Sequence, residues 1–212
     1  MLFRSLDLPL PSVHQITVGV LQGGNGDGGT AFGPAWRRPT LYGHLKNYMD
    51  INDVTNLELG LTEAIGSNDD DASFKTNIFG LDATLNHIIG PDQQIKLQGE
   101  AFTLNRKESV EGLSGTTDPS GNFWGAYTLF DVRLSQLWST GFRFDYVEPV
   151  DRLLTDTNKA EVGISTYLTF YQSEFARWRA QFSHIIRTVG DDDNRVFLQG
   201  TFAIGEHKHK LQ

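Results

Sequence analysis

The chain has 212 residues, a formal net charge of −8 and no cysteine. An acidic balance argues against a general nucleic-acid binder, whose footprint is basic. The lack of cysteine excludes a disulfide framework and a Cys-ligated metal site. Twenty-two glycines, fourteen phenylalanines, six tyrosines and four tryptophans favour strands and turns over helices. No stretch reaches the roughly 18 apolar residues of a membrane-spanning helix. The mean hydropathy of −0.32 is still compatible with membrane strands, in which only every second residue meets lipid.

The first segment, 1–11, lacks the basic start and apolar run of a secretory signal peptide. A barrel exported across a membrane needs one. The expectation is therefore a piece of a longer barrel, a misplaced start, or a signal already removed. From there on, period-2 alternation predicts ten strands, near 13–21, 41–50, 54–65, 73–87, 94–105, 122–134, 137–147, 159–170, 174–187 and 195–205. The clearest is 159–170. Ala160, Val162, Ile164, Leu168 and Phe170 share one side with Thr166, and Lys159, Glu161, Gly163, Ser165 and Thr169 share the other with Tyr167. Within 94–105 the alternation fails at Phe102 and Leu104, which predicts a bulge. Several segments exceed the usual strand length and match the roughly 9–11 residues of a tilted membrane strand.

The connections alternate in length. Those at 22–40, 66–72, 106–121, 148–158 and 188–194 are long; those at 51–53, 90–93, 135–136 and 172–173 are short. An up-and-down sheet collects the two kinds at opposite ends, and long outer loops with short periplasmic turns are the outer-membrane barrel pattern. The expected fold is an all-β, up-and-down antiparallel transmembrane β-barrel of about ten strands. It forms a single domain over 1–212 with a short tail over 206–212, and it either closes alone or belongs to a larger barrel. Both of its ends are expected on the short-turn side.

In that register one face is expected to line a lumen. It carries Lys46, Lys75, Lys96, Arg133, Arg143, Lys159, Arg177, Arg179, Arg187 and Arg195, with Glu58, Asp82, Glu100, Asp131, Asp145 and Glu161. Charged rings of this kind select solutes by sign. With ten basic against six acidic groups, the expectation is a mild preference for anions. On a soluble sheet the same charges would only meet water. Phe123, Trp124, Trp138, Tyr146, Phe170, Tyr171 and Phe175 fall at strand ends, as an interfacial aromatic girdle requires.

Two acidic runs, 69–71 and 191–193, read as solvated loop tips, with calcium as the weaker alternative. The tail holds His207 and His209, an i, i+2 pair that would suit zinc, beside lysines that oppose a cation. No serine-hydrolase elbow, His-Glu-x-x-His helix or phosphate loop is present. The expectation is therefore a non-catalytic protein without a required cofactor.

The stretches at 45–48, 55–61, 76–84, 167–170 and 173–177, and above all 194–205 followed by His207 and His209, resemble a group of bacterial outer-membrane proteins. These are described as porins or as zinc-regulated, TonB-dependent-receptor-like proteins. The likeness runs from about residue 8 onward and corresponds to the C-terminal half of the members. It implies a Gram-negative outer-membrane location. It also implies contact with the lipid bilayer and lipopolysaccharide, and transport of small polar solutes or ions. A plug domain is not in the sequence, and ten strands are far fewer than the 22 of true receptors. An adhesive barrel using its long loops, and an outer-membrane barrel enzyme, are the alternative functions.

Overall fold

A computed structural model of the chain describes residues 2–8, 12–21, 32, 39–67, 74–107, 110–112, 115–117, 120–149, 160–187 and 190–203. The described residues are all-β and contain no helix. The strands are β1 (Leu2–Leu8), β2 (Val13–Leu21), β3 (Thr40–Asn52), β4 (Thr55–Ser67), β5 (Lys75–Gly90), β6 (Gln93–Lys107), β7 (Val110–Gly112), β8 (Gly115–Thr117), β9 (Ser120–Arg133), β10 (Trp138–Val147), β11 (Glu161–Tyr171), β12 (Ala176–Ile186) and β13 (Asp193–Phe202). One sheet takes every strand in chain order except β7 and β8, which form a small hairpin of their own.

The ten expected strands are present as β2–β6 and β9–β13, each antiparallel to its neighbours. β1 is an additional strand, paired in register from Leu2↔Val20 to Leu8↔His14. Two bulges sit beside short turns, at Asp50/Asn52 and Ile88/Gly90. The bulge expected in 94–105 is absent. β6 runs unbroken from Gln94 to Arg106 against both neighbours. Phe102 and Leu104 keep the alternation, and the polar face itself becomes apolar there. The Phe102 ring lies across Gly125, which has no Cβ to block it, and Leu104 is buried beside Phe123.

The strands are tilted. The register row that starts at His14, next to the first residue of β2, passes Asn47, Leu59, Ala83, Gly99, Thr128, Phe144, Ile164 and His184 to Asn194. Asn194 follows the first residue of β13, at the long-loop end. One row thus climbs from the short-turn end of the sheet to the long-loop end, as in a sheared, tilted barrel wall.

The sheet does not close on itself: β1 and β13, its two outer strands, are not paired with each other. Both run from the long-loop end to the short-turn end, so pairing them would be parallel. An antiparallel closure therefore needs an odd number of further strands. The added β1 also overturns the expectation that both ends share the short-turn side, because Leu2 lies against Val20 at the long-loop end.

The core lies on one side only. The buried hydrophobic residues, Ala64, Leu104, Phe123 and Tyr167, all stand on the polar face, where the sheet shields them. Two mid-strand glycines open this face. A Cβ at Gly60 would collide with the Asp82 carboxylate, and one at Gly141 with the Tyr167 hydroxyl and the Phe130 carbonyl. The neighbouring strand's side chain therefore crosses the glycine and reaches the strand beyond. The Gly141→Val variant is expected to lose about 1–3 kcal/mol through overpacking, measured by urea unfolding in detergent micelles. Gly43→Val, where nothing lies within 4 Å of a new Cβ, is expected to stay within about 0.5 kcal/mol of the parent.

Candidate functional site

The two faces of the sheet differ in chemistry. On one, the aliphatic and aromatic side chains of nearly every described strand stand exposed. Leu41, Leu61, Phe79, Leu81, Phe130, Phe142, Leu168, Phe182 and Leu198 are examples. Strands β9–β13 place no Asp, Glu, Lys or Arg on it. β2–β6 place only Glu63, Lys75 and Lys107 there, in the long-loop half. Lys75 was expected on the polar face. It pairs with Ser67 and is in phase with Phe79 and Leu81, one residue out of step with Asp82, so it belongs to the apolar face.

Aromatic rings rim this apolar band. Trp124 and Tyr146 stand at its long-loop edge. At the other edge Trp138 packs on Phe170 at 4.8 Å, and Trp178 meets Phe202 edge-on at 5.5 Å. From Trp124 to Leu134 the strand rises about 33 Å at ~3.3 Å per residue, or roughly 25 Å across a membrane when tilted by ~40°. Two residues expected in the rim are not there. Phe123 turns inward and is only 2% exposed, and Tyr171 lies on the polar face beneath Arg133.

The polar face gathers most of the residues that the alternation selected. In the N-terminal half, Lys46 binds Glu58 at 2.5 Å, and His44 Nδ1 lies 2.8 Å from Thr62 Oγ1. Asp82 reaches across Gly60 to within 4.0 Å of the same His44 nitrogen. Glu100 faces Asp82 and Tyr127 in register, and Lys96 faces Asp131. In the C-terminal half, Arg143 grips Asp145 through Nε and Nη2 at 2.9 and 2.6 Å and lies 4.2 Å above the Tyr127 ring. Gln98 Nε2 donates to the Tyr127 hydroxyl. Tyr167 donates to Asp131 at 2.6 Å, crossing the whole of β10 over Gly141. Arg179 stacks on Tyr167 at 4.2 Å and donates from Nε to Thr169. Arg133 stacks on Tyr171 at 4.7 Å and binds the carbonyls of Ser135 and Gln136.

Glu161 heads the same face of β11 and Arg177 that of β12, opposite Tyr171. Arg195 and Arg187 share the Asp193 carboxylate, at 2.6 and 2.8 Å. Asp193 therefore belongs to an ion-pair cluster of the face, whereas the reading of 191–193 made it part of a solvated tip. Lys159, the run 69–71, His207 and His209 lie outside the described residues. Among the described residues no group of three or more His, Cys, Asp or Glu is placed to hold a metal ion.

The sequence reading missed Arg106, Asp50 and Asp193 as members of this face, and all of its tyrosines but Tyr167. Tyr42, Tyr48, Tyr127, Tyr167 and Tyr171 are all in phase with the charges, a signal available in the alternation itself. With these corrections the basic excess shrinks to near parity. The remaining asymmetry is one of place. Among the described residues, Arg133, Arg177 and Arg179 make no ion pair, and all three lie toward the short-turn end. Arg143, Arg187 and Arg195, nearer the long-loop end, are matched to carboxylates. Glu174 in the β11–β12 turn is the acidic group that shares a recess with Arg133 and Arg177.

No protein-family model matches the chain, and a search of curated proteins finds none that matches it.

The Tyr167–Asp131 bond spans two strand spacings and ends on a charged oxygen. A double-mutant cycle of Tyr167→Phe and Asp131→Ala, read by urea unfolding in micelles, is expected to give a coupling of about 1.5 kcal/mol or more. A coupling near zero would mean that the hydroxyl is no better placed than in water.

Proposed function

We propose that the chain forms the wall of a transmembrane barrel in the outer membrane of a Gram-negative bacterium. It would pass small polar solutes or ions, selected by the charge and width of the polar face, with no covalent chemistry on that face. One observation carries the reading. A sheet one layer thick leaves its apolar side exposed across the sheet, rimmed by aromatics, while the opposite side is a connected network of charges and tyrosines. A water-soluble protein rarely leaves so large an apolar surface bare. A lipid-facing wall requires one.

The like-directed edges favour a larger barrel, with an odd number of strands completing the wall. The long loops would face outward and the short turns the periplasm. Lys75, at the outer rim of the apolar band, would then meet lipopolysaccharide phosphates. This reading agrees with the resemblance to the outer-membrane porin and zinc-regulated receptor-like group.

The guanidiniums of Arg133, Arg177 and Arg179, which have no carboxylate partner among the described residues, make the short-turn mouth the selective one, since such a cation leaves its field to the passing ion. In planar bilayers the parent is expected to show a reversal potential favouring anions. The triple variant Arg133→Glu, Arg177→Glu, Arg179→Glu is expected to favour cations. Cation preference in the parent, or unchanged selectivity in the variant, would contradict this assignment.

A further inference from the structure

Three polar side chains that the polar face does not use meet on the opposite, apolar side at the foot of β2. Ser12 Oγ lies 2.8 Å from His14 Nε2, and the Asn47 amide lies 2.6 Å from His14 Nδ1. Ser12 sits in the connection before β2, and His14 is two residues on, so an extended chain puts both on one side. Asn47 is the register partner of His14 on β3. All three are half-buried. A hydroxyl, a base within hydrogen-bond reach and a third group that holds the base are the parts of an activated nucleophile, whatever the fold.

The amide can be set to serve the same assignment. Asn47 Oδ1 is buried and has no hydrogen-bond partner among the described residues, while Nδ2 points at the imidazole. The two ends of an amide have nearly the same shape. Turned end for end, Asn47 presents Oδ1 to Nδ1–H at the same contact. Nε2 is then the bare nitrogen, facing the Ser12 hydroxyl as an acceptor.

The surroundings point to the substrate. Ile16, Leu45 and Leu59 are the neighbours of this trio on the apolar face, and Leu45 and Leu59 are exposed. The trio lies at the short-turn end of β2, at the edge of the apolar band. In a bilayer that level holds the ester groups that join acyl chains to headgroups.

We propose that Ser12, His14 and Asn47 form an acyl-ester hydrolase site for glycerophospholipids, opening sideways to the membrane. The assignment rests on the reading that the apolar face meets lipid. Ser12 Oγ attacks the ester carbonyl carbon as His14 Nε2 takes its proton. The carbon–oxygen bond to the glycerol breaks, and His14 returns the proton to the departing lysolipid oxygen. Water then attacks the acyl-serine, giving its proton to His14. The Ser12–acyl bond breaks, the fatty acid leaves, and the proton returns to Ser12. Asn47 is a positioning residue, acting through the imidazole.

The test uses the full chain folded in mixed micelles with dioleoylphosphatidylethanolamine, following oleate release, together with a fluorophosphonate probe mapped by mass spectrometry. The parent is expected to release oleate and to carry the probe on Ser12. Ser12→Ala and His14→Ala are expected to slow release by about a thousandfold. In Asn47→Asp the acid limb of the pH–rate profile is expected to move to higher pH, because a carboxylate favours the imidazolium; a purely structural role would not move it. No oleate release with no adduct on Ser12, or a parental rate in Ser12→Ala, would overturn the proposal. If a variant fails to fold, the probe on the parent still decides. A parent that inserts into bilayers and conducts, yet neither hydrolyses nor labels, removes this site and leaves the channel reading standing. A parent that neither inserts nor labels removes both.

Discussion

The constraint that governs this structure is that its sheet has no second layer. Strands normally bury their apolar side against another sheet or a helix. Here the described residues offer neither, and the apolar face stays open from β2 to β13. Each large aliphatic or aromatic group left in water forgoes about 1.5–3 kcal/mol relative to burial. Repeated along ten strands, that is more than the net stability of an ordinary domain. Contact with lipid, as proposed, would remove the cost without a protein partner. The absence of ionised groups from the apolar face of β9–β13, and the aromatic rims at both ends, follow from the same condition.

The opposite face obeys a complementary rule. Many of its charges are part-buried, so they need partners within reach. Gly60 and Gly141 let Asp82 and Tyr167 cross a whole strand, which ties the sheet together beyond nearest-neighbour strands. Arg143, Arg179 and Arg133 each lie over a tyrosine ring, so the guanidiniums keep their charge while resting on an apolar support. At the long-loop end the polar face holds a small apolar core of Ala64, Leu104 and Phe123.

Much of this was legible in the sequence because a period of two is a strong local signal, and long strands repeat it many times. The ten strands, their order and the alternation of long and short connections follow from it directly. What failed did so for identifiable reasons. β1 is only seven residues long, so alternation alone carries little weight there. Phe102 and Leu104 look like a break only if polarity is constant along one face, whereas the face changes character toward its long-loop end. Lys75 is charged but lies one residue out of step with Asp82, so charge and phase disagree there. The stacked Arg–Tyr pairs and the Ser12–His14–Asn47 trio depend on register between strands, which no single segment encodes.

The central claim is that one face of the sheet meets lipid and the other meets water, and the chain's lack of cysteine allows a direct test. Single variants along β5, Phe79→Cys, Leu81→Cys and Ala83→Cys against Gly80→Cys, Asp82→Cys and Thr84→Cys, can each carry one environment-sensitive fluorophore in phosphatidylcholine vesicles. A lipid-facing wall gives strict alternation: blue-shifted emission quenched by nitroxide lipids at 79, 81 and 83, and red-shifted emission quenched by aqueous iodide at 80, 82 and 84. Iodide quenching at all six positions, or no alternation between the two sets, would contradict it.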